Sequence, residues 1–296
     1  AGMWGREVGR MAGVQLPLQA CEHFYVVTEA SPDIPRNLPV LRVPDECAYY
    51  KEDAGKILLG AFELSAKPWR VDGIPEDFCF DQIPEDFDHF APILERATHR
   101  MPMLEKVGIH TFFNGPESFT HDVRYLLGEA PALANFYVAC GFNSIGIQSA
   151  GGAGKALAEW IDGGAPPFDL WDVDVRRTFP YQATKSFITS RVKETLGLLY
   201  ADHFPYRQYA TARNVRHTPF YHQLKARGAC FGETAGWERA NWFVPEADFA
   251  RGVAPAYEYS WKRQNWFAHS AAEHQAVRTA VGLIDMSAFG KFRVEG

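Results

Sequence analysis

The chain has 296 residues, enough for about two domains, and its 47% hydrophobic and 22% charged residues are the composition of an ordinary globular protein. A net charge of −6 without any basic run argues against a nucleic-acid partner, and no apolar run approaches the roughly 18 residues of a membrane span. The five cysteines form no C-x-x-C pair, which favours neither a zinc site nor a disulfide framework and fits a reducing compartment.

Short apolar or aromatic runs bounded by turn residues predict strands at residues 24–29, 48–51, 57–63, 108–113 and 136–140. A helix is predicted to begin near Glu85. The apolar residues that share one face of this helix are Phe87, Phe90, Leu94 and Ala97. Residues 1–174 are therefore interpreted as a mixed α+β domain.

The first of these strands carries two side chains that are suited to chemistry. Because side chains alternate along a strand, His23 and Tyr25 lie on one face, and Glu22 and Phe24 lie on the other. A histidine or tyrosine on a strand is most often a packed, hydrogen-bonded core residue. The pattern alone leaves a structural and a functional interpretation open.

The most informative segment is a strand, a glycine-bounded turn and a helix within residues 135–161. The turn consists of Gly141, Phe142, Asn143, Ser144, Ile145 and Gly146. Apolar residues at three- and four-residue spacing predict the helix that follows, and Gly163 and Gly164 end it. A helix that opens from such a turn presents unpaired N–H groups and the positive end of its dipole, which suits a group that becomes anionic.

A phosphate and the N1–C2=O edge of a reduced flavin are two candidates for that group. A phosphate loop needs Gly-Lys followed by Ser or Thr, but Lys155 is followed by Ala156, so this candidate fails. A structural alternative is that the small residues 150–154 only let the helix lie close to a sheet. At Gly146 we expect either a positive φ or a ligand edge that is too close for a Cβ.

The composition changes after Asp174, and residues 175–231 are rich in Arg, Tyr, Phe and His. A helix predicted at residues 264–280 would bury Trp266, Ala276, Val277 and Ala280 by their spacing. Residues 291–296 are expected to form a strand that turns into a hairpin partner. The histidines in this half lack metal-ligand spacing, and no metal site is predicted from His203, His217 and His222.

Several motifs follow one another in an order that resembles one family. They are AGMWG at residues 1–5, EHFYVVTE at 22–29, NGPESFTHD at 114–122, the turn and helix above, and EHQAVRTAVGLIDMSAFGKFRVEG at 273–296. Together they resemble the sarcosine and dimethylglycine dehydrogenase branch of the glycine-oxidase-like flavoenzymes. The resemblance implies the C-terminal part of an FAD domain at residues 1–174, a connector domain at 175–231 and the start of a T-protein-like folate domain at 232–296. It also implies that the chain is an internal piece of a longer polypeptide.

The same resemblance implies roles for individual residues. Tyr25 would lie over the flavin and orient the substrate through its phenol, with His23 in support. Gly2 and Trp4 would pack near the cofactor, with a core position as the alternative for Trp4. The N–H groups from Ser144 to Ile147 would stabilise the negative charge that develops on the flavin. The cofactor-binding residues implied around the turn are Gly141, Phe142, Asn143, Ser144, Ile145, Gly146, Ile147 and Gln148.

The reaction that the resemblance implies is oxidative N-demethylation of an N-methylated amino acid of the sarcosine or dimethylglycine type. FAD would be attached covalently upstream of residue 1, and the one-carbon unit would pass to tetrahydrofolate. Gln148 stands where related oxidases have a lysine, which favours a dehydrogenase. The electron acceptor stays open, with an electron-transfer flavoprotein as the candidate. The expected compartment is the cytoplasm in a bacterium or the mitochondrial matrix in a eukaryote.

A non-catalytic function is the alternative. The segment ACEHFYVVTE at residues 20–29 also resembles the corresponding strand of a regulatory subunit of pyruvate dehydrogenase phosphatase. This resemblance falls on the same motif that carries His23 and Tyr25. The sequence therefore leaves a catalytic and a regulatory member of the family open.

Overall fold

The computed structural model describes residues 1–201 and 207–296. The chain forms two compact units, residues 1–202 and 203–296, and each is described by itself. The first unit contains α1 (Gly5–Met11), β1 (Leu18–Thr28), β2 (Leu41–Val43), β3 (Ala48–Asp53), β4 (Lys56–Ala61), α2 (Phe87–Arg100), β5 (Ile109–Thr120), β6 (Leu126–Glu129), β7 (Tyr137–Cys140), α3 (Gly146–Gly163) and α4 (Lys185–Leu198). The second contains β8 (Arg216–His217), α5 (Tyr221–Ala226), β9 (Ala229–Thr234), β10 (Trp237–Phe243), α6 (Glu246–Ala250) and α7 (Phe267–Thr279).

The first unit is built around a five-stranded sheet in the order β2-β3-β4-β1-β5. All neighbouring strands in it are antiparallel. The long strands β1 and β5 pair along their length, with Tyr25 opposite Phe113. Strand β1 begins earlier than predicted because residues 18–21 are all buried and show no alternation of polar and apolar side chains.

Helix α2 covers one face of this sheet, and its prediction from the sequence is confirmed. Asp86 caps the helix by accepting a hydrogen bond from the His89 N–H at 3.0 Å. The core between helix and sheet includes Phe24, Val26, Phe90, Ile93, Ala97 and Phe112. Phe87, which was predicted on the same helical face, is 48% exposed. Since Phe24 faces this core, His23 and Tyr25 lie on the opposite face of the sheet.

Helix α4 covers one end of that opposite face. Ile188, Val192 and Leu196 of the helix pack against Cys21 of β1 and Phe119 of β5. The part of the face that carries His23 and Tyr25 is only partly buried. This partly open surface is where the candidate site lies.

A hairpin of β6 and β7 leads into α3, so the predicted strand, turn and helix are confirmed. Ala153 of the helix packs on Leu127 of β6. Trp160 lies over Gly128, where a Cβ would come within 2.4 Å of the indole ring. The helix ends at Gly163, and Gly164, which follows it, has the left-handed φ of 72° typical of a helix C-terminus.

The second unit contains a three-stranded sheet in the order β8-β10-β9. Glu238 of β10 is buried, at 1% exposure, and accepts hydrogen bonds from Arg213 Nε at 2.9 Å and from the Asn214 N–H at 2.7 Å. This pairing satisfies a charge that would otherwise be costly to bury. The predicted helix near residue 264 forms as α7, beginning at Phe267.

Two expectations for the second unit were wrong. Of the residues predicted to be buried, Trp266 is half-buried against the core around Trp242, directly before α7. The other three are not buried: Val277 is 51% exposed, and Ala276 and Ala280 are also exposed. The contacts of α7 with β10 come instead from its first half, where Glu273 accepts a hydrogen bond from the Phe243 N–H at 2.9 Å. Residues 291–296 form no strand, since no described strand pairs with them to complete a ladder.

The fold class is mixed α+β, as predicted, with antiparallel sheets predominating. The domain boundaries at 174/175 and 231/232 stay predictions. Across residues 1–201 and 207–296, every helix is too short or too polar to cross a lipid bilayer.

Candidate active site

A row of aromatic side chains crosses the open face of the large sheet. The strand register aligns Tyr49 of β3, Gly60 of β4, Tyr25 of β1 and Phe113 of β5 in one row. The rings of Tyr25 and Phe113 are stacked, with centroids 4.8 Å apart and planes 19° apart. The row makes a flat, apolar surface with two phenol groups in it.

Two glycines allow the aromatic rings to lie flat on the sheet. A Cβ on Gly60 would lie 2.0 Å from Cζ of Tyr49, so the Tyr49 ring occupies the space above that glycine. A Cβ on Gly115 would lie 2.6 Å from Cε1 of Phe113. Side chains at either position would lift the rings off the sheet. Burial raises the pKa of Tyr49 to about 12, so its phenol remains a hydrogen-bond donor at neutral pH.

Sequence reasoning missed Tyr49. The available signal was the glycine inside the apolar strand segment ILLGAFE, because a glycine in a strand interior often marks a close approach by another group. The identity of that group depends on the pairing of β3 with β4, which separates Tyr49 and Gly60 by a hairpin.

His23 lies between two carboxylates on the same face. Its Nδ1 is 3.3 Å from Oε2 of Glu63, and its Nε2 is 4.0 Å from Oε2 of Glu117. The imidazole ring also packs against Phe62, with centroids 4.7 Å apart. Burial by itself lowers the pKa of His23, but the hydrogen bond and the charge of Glu63 and the charge of Glu117 outweigh it, and the net pKa is raised.

The loop at residues 141–147, which joins β7 to α3 and includes the first two residues of that helix, has an unusual backbone. Gly141 has a φ of 65°, and a Cβ there would lie 2.5 Å from Leu18 and 2.6 Å from Thr120. Asn143 and Ser144 follow with φ values of 49° and 69°, which are uncommon for residues other than glycine. The loop is therefore held in a strained conformation by its surroundings.

The buried side chain of Asn143 holds this loop against the end of β5. Its Oδ1 accepts a hydrogen bond from the Thr120 N–H at 2.9 Å, and its Nδ2 donates to the Gly141 carbonyl at 2.7 Å. Phe142 stacks on Tyr125, with centroids 4.6 Å apart. These contacts fix the loop before any ligand is bound.

The loop presents unpaired backbone donors at the start of α3. The helix has no side-chain N-cap. Among the residues that the structure describes, no acceptor pairs with the N–H groups of Ser144, Gly146, Ile147 and Gln148. Ile147 is 98% exposed, and Ser144, Ile145 and Gln148 are exposed as well. Exposed donors at a helix N-terminus can stabilise negative charge on a ligand.

A hydrogen bond joins this loop to the aromatic face. Ser144 Oγ donates to Oε2 of Glu117 at 2.8 Å. In the register of β1 and β5, Glu117 is opposite Cys21, and the next residue pair on the same face is His23 and Gly115. The structure therefore brings His23, Tyr25 and the loop together along one sheet face, with Tyr25 farther from the loop than His23.

The N-terminal residues lie near the start of the same loop. A Cβ on Gly5 would lie 3.6 Å from Cβ of Cys140, the last residue of β7. Gly2 is exposed with a φ of 55°, and Trp4 is 38% exposed. A fully buried core position, the alternative considered for Trp4, is therefore wrong.

The positive φ expected at Gly146 was wrong. Gly146 is helical, and a Cβ there would meet Phe142 only at an ordinary 3.5 Å. The other half of the expectation, a ligand edge too close for a Cβ, stays a prediction. The positive φ and the crowding by neighbouring side chains occur instead at Gly141. The close-packing alternative for residues 150–154 holds at Ala153, which packs on Leu127. It does not hold at Gly151, Gly152 and Gly154, where a Cβ would meet nothing within 4 Å.

A cavity of about 920 Å³ in the second unit is lined mainly by apolar residues such as Phe220, Leu224 and Phe249. Within the described ranges, no cluster of three or more His, Cys, Asp or Glu side chains could hold a metal ion. His203 lies outside the described residues.

Comparison with known families divides the chain into three matches. Residues 1–160 match the family described as FAD dependent oxidoreductase. Residues 163–218 match the FAD dependent oxidoreductase central domain, and residues 220–296 match the GCVT N-terminal domain.

Curated relatives match over the whole chain. A 4-methylaminobutanoate oxidase (formaldehyde-forming) from Paenarthrobacter nicotinovorans is 44% identical over 295 residues, covering 100% of this chain and 35% of the relative. Mitochondrial sarcosine dehydrogenase from Mus musculus is 36% identical over 317 residues, covering 100% of this chain and 34% of that protein. The resemblance predicted from the sequence is confirmed. The chain spans about a third of the length of these relatives.

One relative is a regulatory subunit by its name. The mitochondrial pyruvate dehydrogenase phosphatase regulatory subunit of Mus musculus is 35% identical over 297 residues, covering 99% of this chain and 34% of that protein. Among solved structures, glycine oxidase from Geobacillus kaustophilus aligns at a TM-score of 0.48 with 22% identity, covering 60% of this chain and 44% of that one.

Proposed function

Because the chain belongs to the FAD-dependent oxidoreductase family, we propose that it forms the flavin- and substrate-facing part of an enzyme that oxidatively N-demethylates N-methylated amino acids. One observation carries the proposal. The loop with unpaired N–H donors is hydrogen-bonded through Ser144 and Glu117 to the sheet face that bears His23 and Tyr25. The backbone N–H donors that could bind an anionic flavin edge therefore lie beside His23 and Tyr25, the polar side chains that could bind a substrate amine.

The residues present fit a flavin ring. The unpaired N–H groups of Ser144, Gly146 and Ile147 match an acceptor edge that gains negative charge on reduction. The flat row of Tyr49, Tyr25 and Phe113 offers an apolar surface for a planar ring and its substrate. Bound FAD would accept a hydride from the carbon next to the substrate nitrogen, and the protein aims and polarises it.

The polar groups of the face supply orientation and proton transfer. The phenols of Tyr25 and Tyr49 donate hydrogen bonds that hold the substrate for hydride loss. His23 in its neutral form accepts the proton of the substrate ammonium, which frees the nitrogen lone pair for the reaction. The charges of Glu63 and Glu117 on either side stabilise the imidazolium that results.

We further propose that the one-carbon unit passes to tetrahydrofolate. The match of residues 220–296 to the GCVT N-terminal domain supports this step. The names of the sarcosine dehydrogenase and 4-methylaminobutanoate oxidase relatives support a substrate class with an N-methyl group on an amino acid. Covalent attachment of FAD, an electron-transfer flavoprotein as acceptor, and a dehydrogenase activity indicated by Gln148 stay predictions.

The test is the substitution Tyr25→Phe in the full-length protein. We expect anaerobic flavin reduction by sarcosine or 4-methylaminobutanoate to slow by about 10²-fold, because the reacting geometry loses an orienting contact. The FAD content should stay near that of the wild type. Tyr50→Phe is the matched control, since Tyr50 lies on the opposite face of the sheet and its buried hydroxyl has no partner among the described residues. Equal rates in Tyr25→Phe and the wild type would remove Tyr25 from the active site.

The second candidate function is non-catalytic regulation, which the match to the phosphatase regulatory subunit favours. The regulatory and the catalytic function predict different results for anaerobic flavin reduction of the wild-type protein. A regulatory protein that binds FAD would not be reduced by sarcosine, dimethylglycine or 4-methylaminobutanoate under anaerobic conditions. Reduction by any of the three would support the catalytic function.

A further inference from the structure

We infer that Glu117 and Ser144 are positioning residues, which connect the loop at residues 141–147 to His23 and set the protonation of its ring. The inference rests on the proposed function, because it concerns the same site. It adds that the loop, through Ser144, holds the Glu117 carboxylate beside His23.

A continuous line of polar groups carries the inference. Ser144 Oγ donates to Oε2 of Glu117 at 2.8 Å, and the same oxygen lies 4.0 Å from Nε2 of His23. On the other side of the ring, Nδ1 of His23 is 3.3 Å from Oε2 of Glu63. The line runs from the loop, across β5, to β1 and then to Glu63, two residues after the end of β4. A shift of the loop would therefore move the Glu117 carboxylate relative to the imidazole ring of His23.

The first link in this line is rigid. Ser144 has a left-handed φ of 69°, and the neighbouring Asn143 is fixed by hydrogen bonds to Thr120 and Gly141. Glu117, in contrast, has a side chain that is 34% exposed. Within residues 1–201 and 207–296, Ser144 supplies the one hydrogen bond that Glu117 receives. The loop consequently decides where the Glu117 carboxylate points.

Carboxylates dominate the charged groups around His23. The charged groups that act on its ring are Glu63, which follows β4, and Glu117 of β5. The other titratable groups of the surrounding cluster are Cys21 of β1, Tyr49 of β3 and Tyr200, which follows α4. Burial raises the pKa of each of these three groups, so they are neutral at neutral pH, and Glu63 and Glu117 remain as the stabilising charges. At 4.0 Å and with partial exposure of Glu117, loss of its charge should lower the pKa of His23 by about 0.5–1 unit.

The experiment measures the pKa of His23 directly in the full-length protein. Hydrogen–deuterium exchange at the imidazole C2 position, followed by mass spectrometry, gives the midpoint for each histidine without substrate or turnover. The variants are Glu117→Gln, Ser144→Ala and the double variant. Glu22→Gln is the matched control, because Glu22 precedes His23 on β1 but faces the other way and accepts a hydrogen bond from Asn114 at 2.9 Å.

We expect the His23 midpoint to fall by about 0.5–1 unit in Glu117→Gln and to stay unchanged in Glu22→Gln. Ser144→Ala should lower it in the same direction by at least half as much, because Glu117 is then free to turn toward solvent. The double variant should fall no further than Glu117→Gln. A wild-type midpoint in Glu117→Gln, or an equal fall in Glu22→Gln, would overturn the inference. A wild-type midpoint in Ser144→Ala would overturn the link to the loop.

A second readout separates this inference from the proposed function. If neutral His23 accepts the substrate proton, the acidic limb of anaerobic flavin reduction should move to lower pH in Glu117→Gln by the same amount as the exchange midpoint. A wild-type protein that no N-methylated amino acid reduces would refute the proposed function. The exchange measurement would still decide whether Glu117 and Ser144 control His23.

Discussion

The substitution Gly60→Ala tests the packing of Tyr49 on the sheet. The added Cβ would lie 2.0 Å from Cζ and 2.1 Å from Oη of Tyr49, so the ring must move. Moving the ring disturbs its packing on Phe62 and Tyr200, whose ring centroids each lie 6.2 Å from that of Tyr49. Overpacking of this kind costs about 1–3 kcal/mol of the free energy of unfolding.

Inside a strand or helix, alanine in place of glycine normally stabilises the folded protein. A control substitution must therefore measure this general stabilisation. Gly151→Ala serves, since a Cβ there meets nothing within 4 Å. It should stabilise the protein by about 0.5–1 kcal/mol through the lower backbone entropy of the unfolded chain. The two glycine-to-alanine changes should therefore have opposite signs.

Urea unfolding of the wild type, Gly60→Ala, Tyr49→Ala and the double variant would measure the coupling. If the Tyr49 ring is the obstacle, Gly60→Ala should destabilise the Tyr49→Ala protein much less than it destabilises the wild type. The two substitutions should then show a favourable coupling free energy of about 1–3 kcal/mol. Flavin reduction should slow in Gly60→Ala, because the Tyr49 phenol leaves its place beside Tyr25. Strictly additive costs, or a Gly60→Ala protein as stable as Gly151→Ala, would refute the geometry.

Three further predictions follow from the site and its support. Gly146→Ala should fold normally, because its Cβ meets only Phe142 at 3.5 Å, but should reduce the FAD content of the purified protein relative to Gly151→Ala if a flavin edge lies against the loop. Arg177→Met should lower the free energy of unfolding by about 3 kcal/mol in urea titrations, since it removes the two hydrogen bonds that Arg177 donates to the mostly buried Asp122 carboxylate. Burial lowers the pKa of His121 from 6.5 to about 4, so its contribution to stability is complete above pH 6.5 and is lost as the pH falls toward 4. His121→Leu should remove that part of the pH dependence, and an unchanged pH profile would contradict it.

Local sequence patterns were sufficient to predict the secondary-structure elements that depend only on residues within one short segment. The strand before Gly141 and the helix after Gly146 were predictable because an apolar run, a glycine-bounded turn and a helical spacing occur within one short segment. The same holds for the two sides of β1, since alternation alone puts His23 and Tyr25 together.

Contacts that depend on the pairing of strands far apart in the sequence could not be predicted from the sequence patterns. Glu63 reaches His23 from a position 40 residues away, and Glu117 reaches Ser144 from 27 residues away. Tyr49 joins the site only because β3 pairs with β4 in one register. Such contacts are fixed by strand order, which no single segment encodes.

The wrong predictions have physical causes as well. Helical spacing indicated a buried face for α7, yet spacing says only which residues share a side, and the side that packs on β10 is set by His269 stacking on Trp242 at 5.4 Å. Gly146 was singled out as the glycine at the start of the helix. The constraint lies on Gly141 instead, because Leu18 and Thr120 of neighbouring strands approach it, and these neighbours are remote in sequence.

The clamp that Asn143 forms on Thr120 has a kinetic consequence. Since the loop is already folded around its own hydrogen bonds, its donors need no rearrangement when an anionic ring edge arrives. Docking of the flavin ring against the loop would then be a single phase, without the lag that a slow loop-ordering step produces. Weakening the clamp, as in Asn143→Ala, should add a slower second phase in which the loop orders.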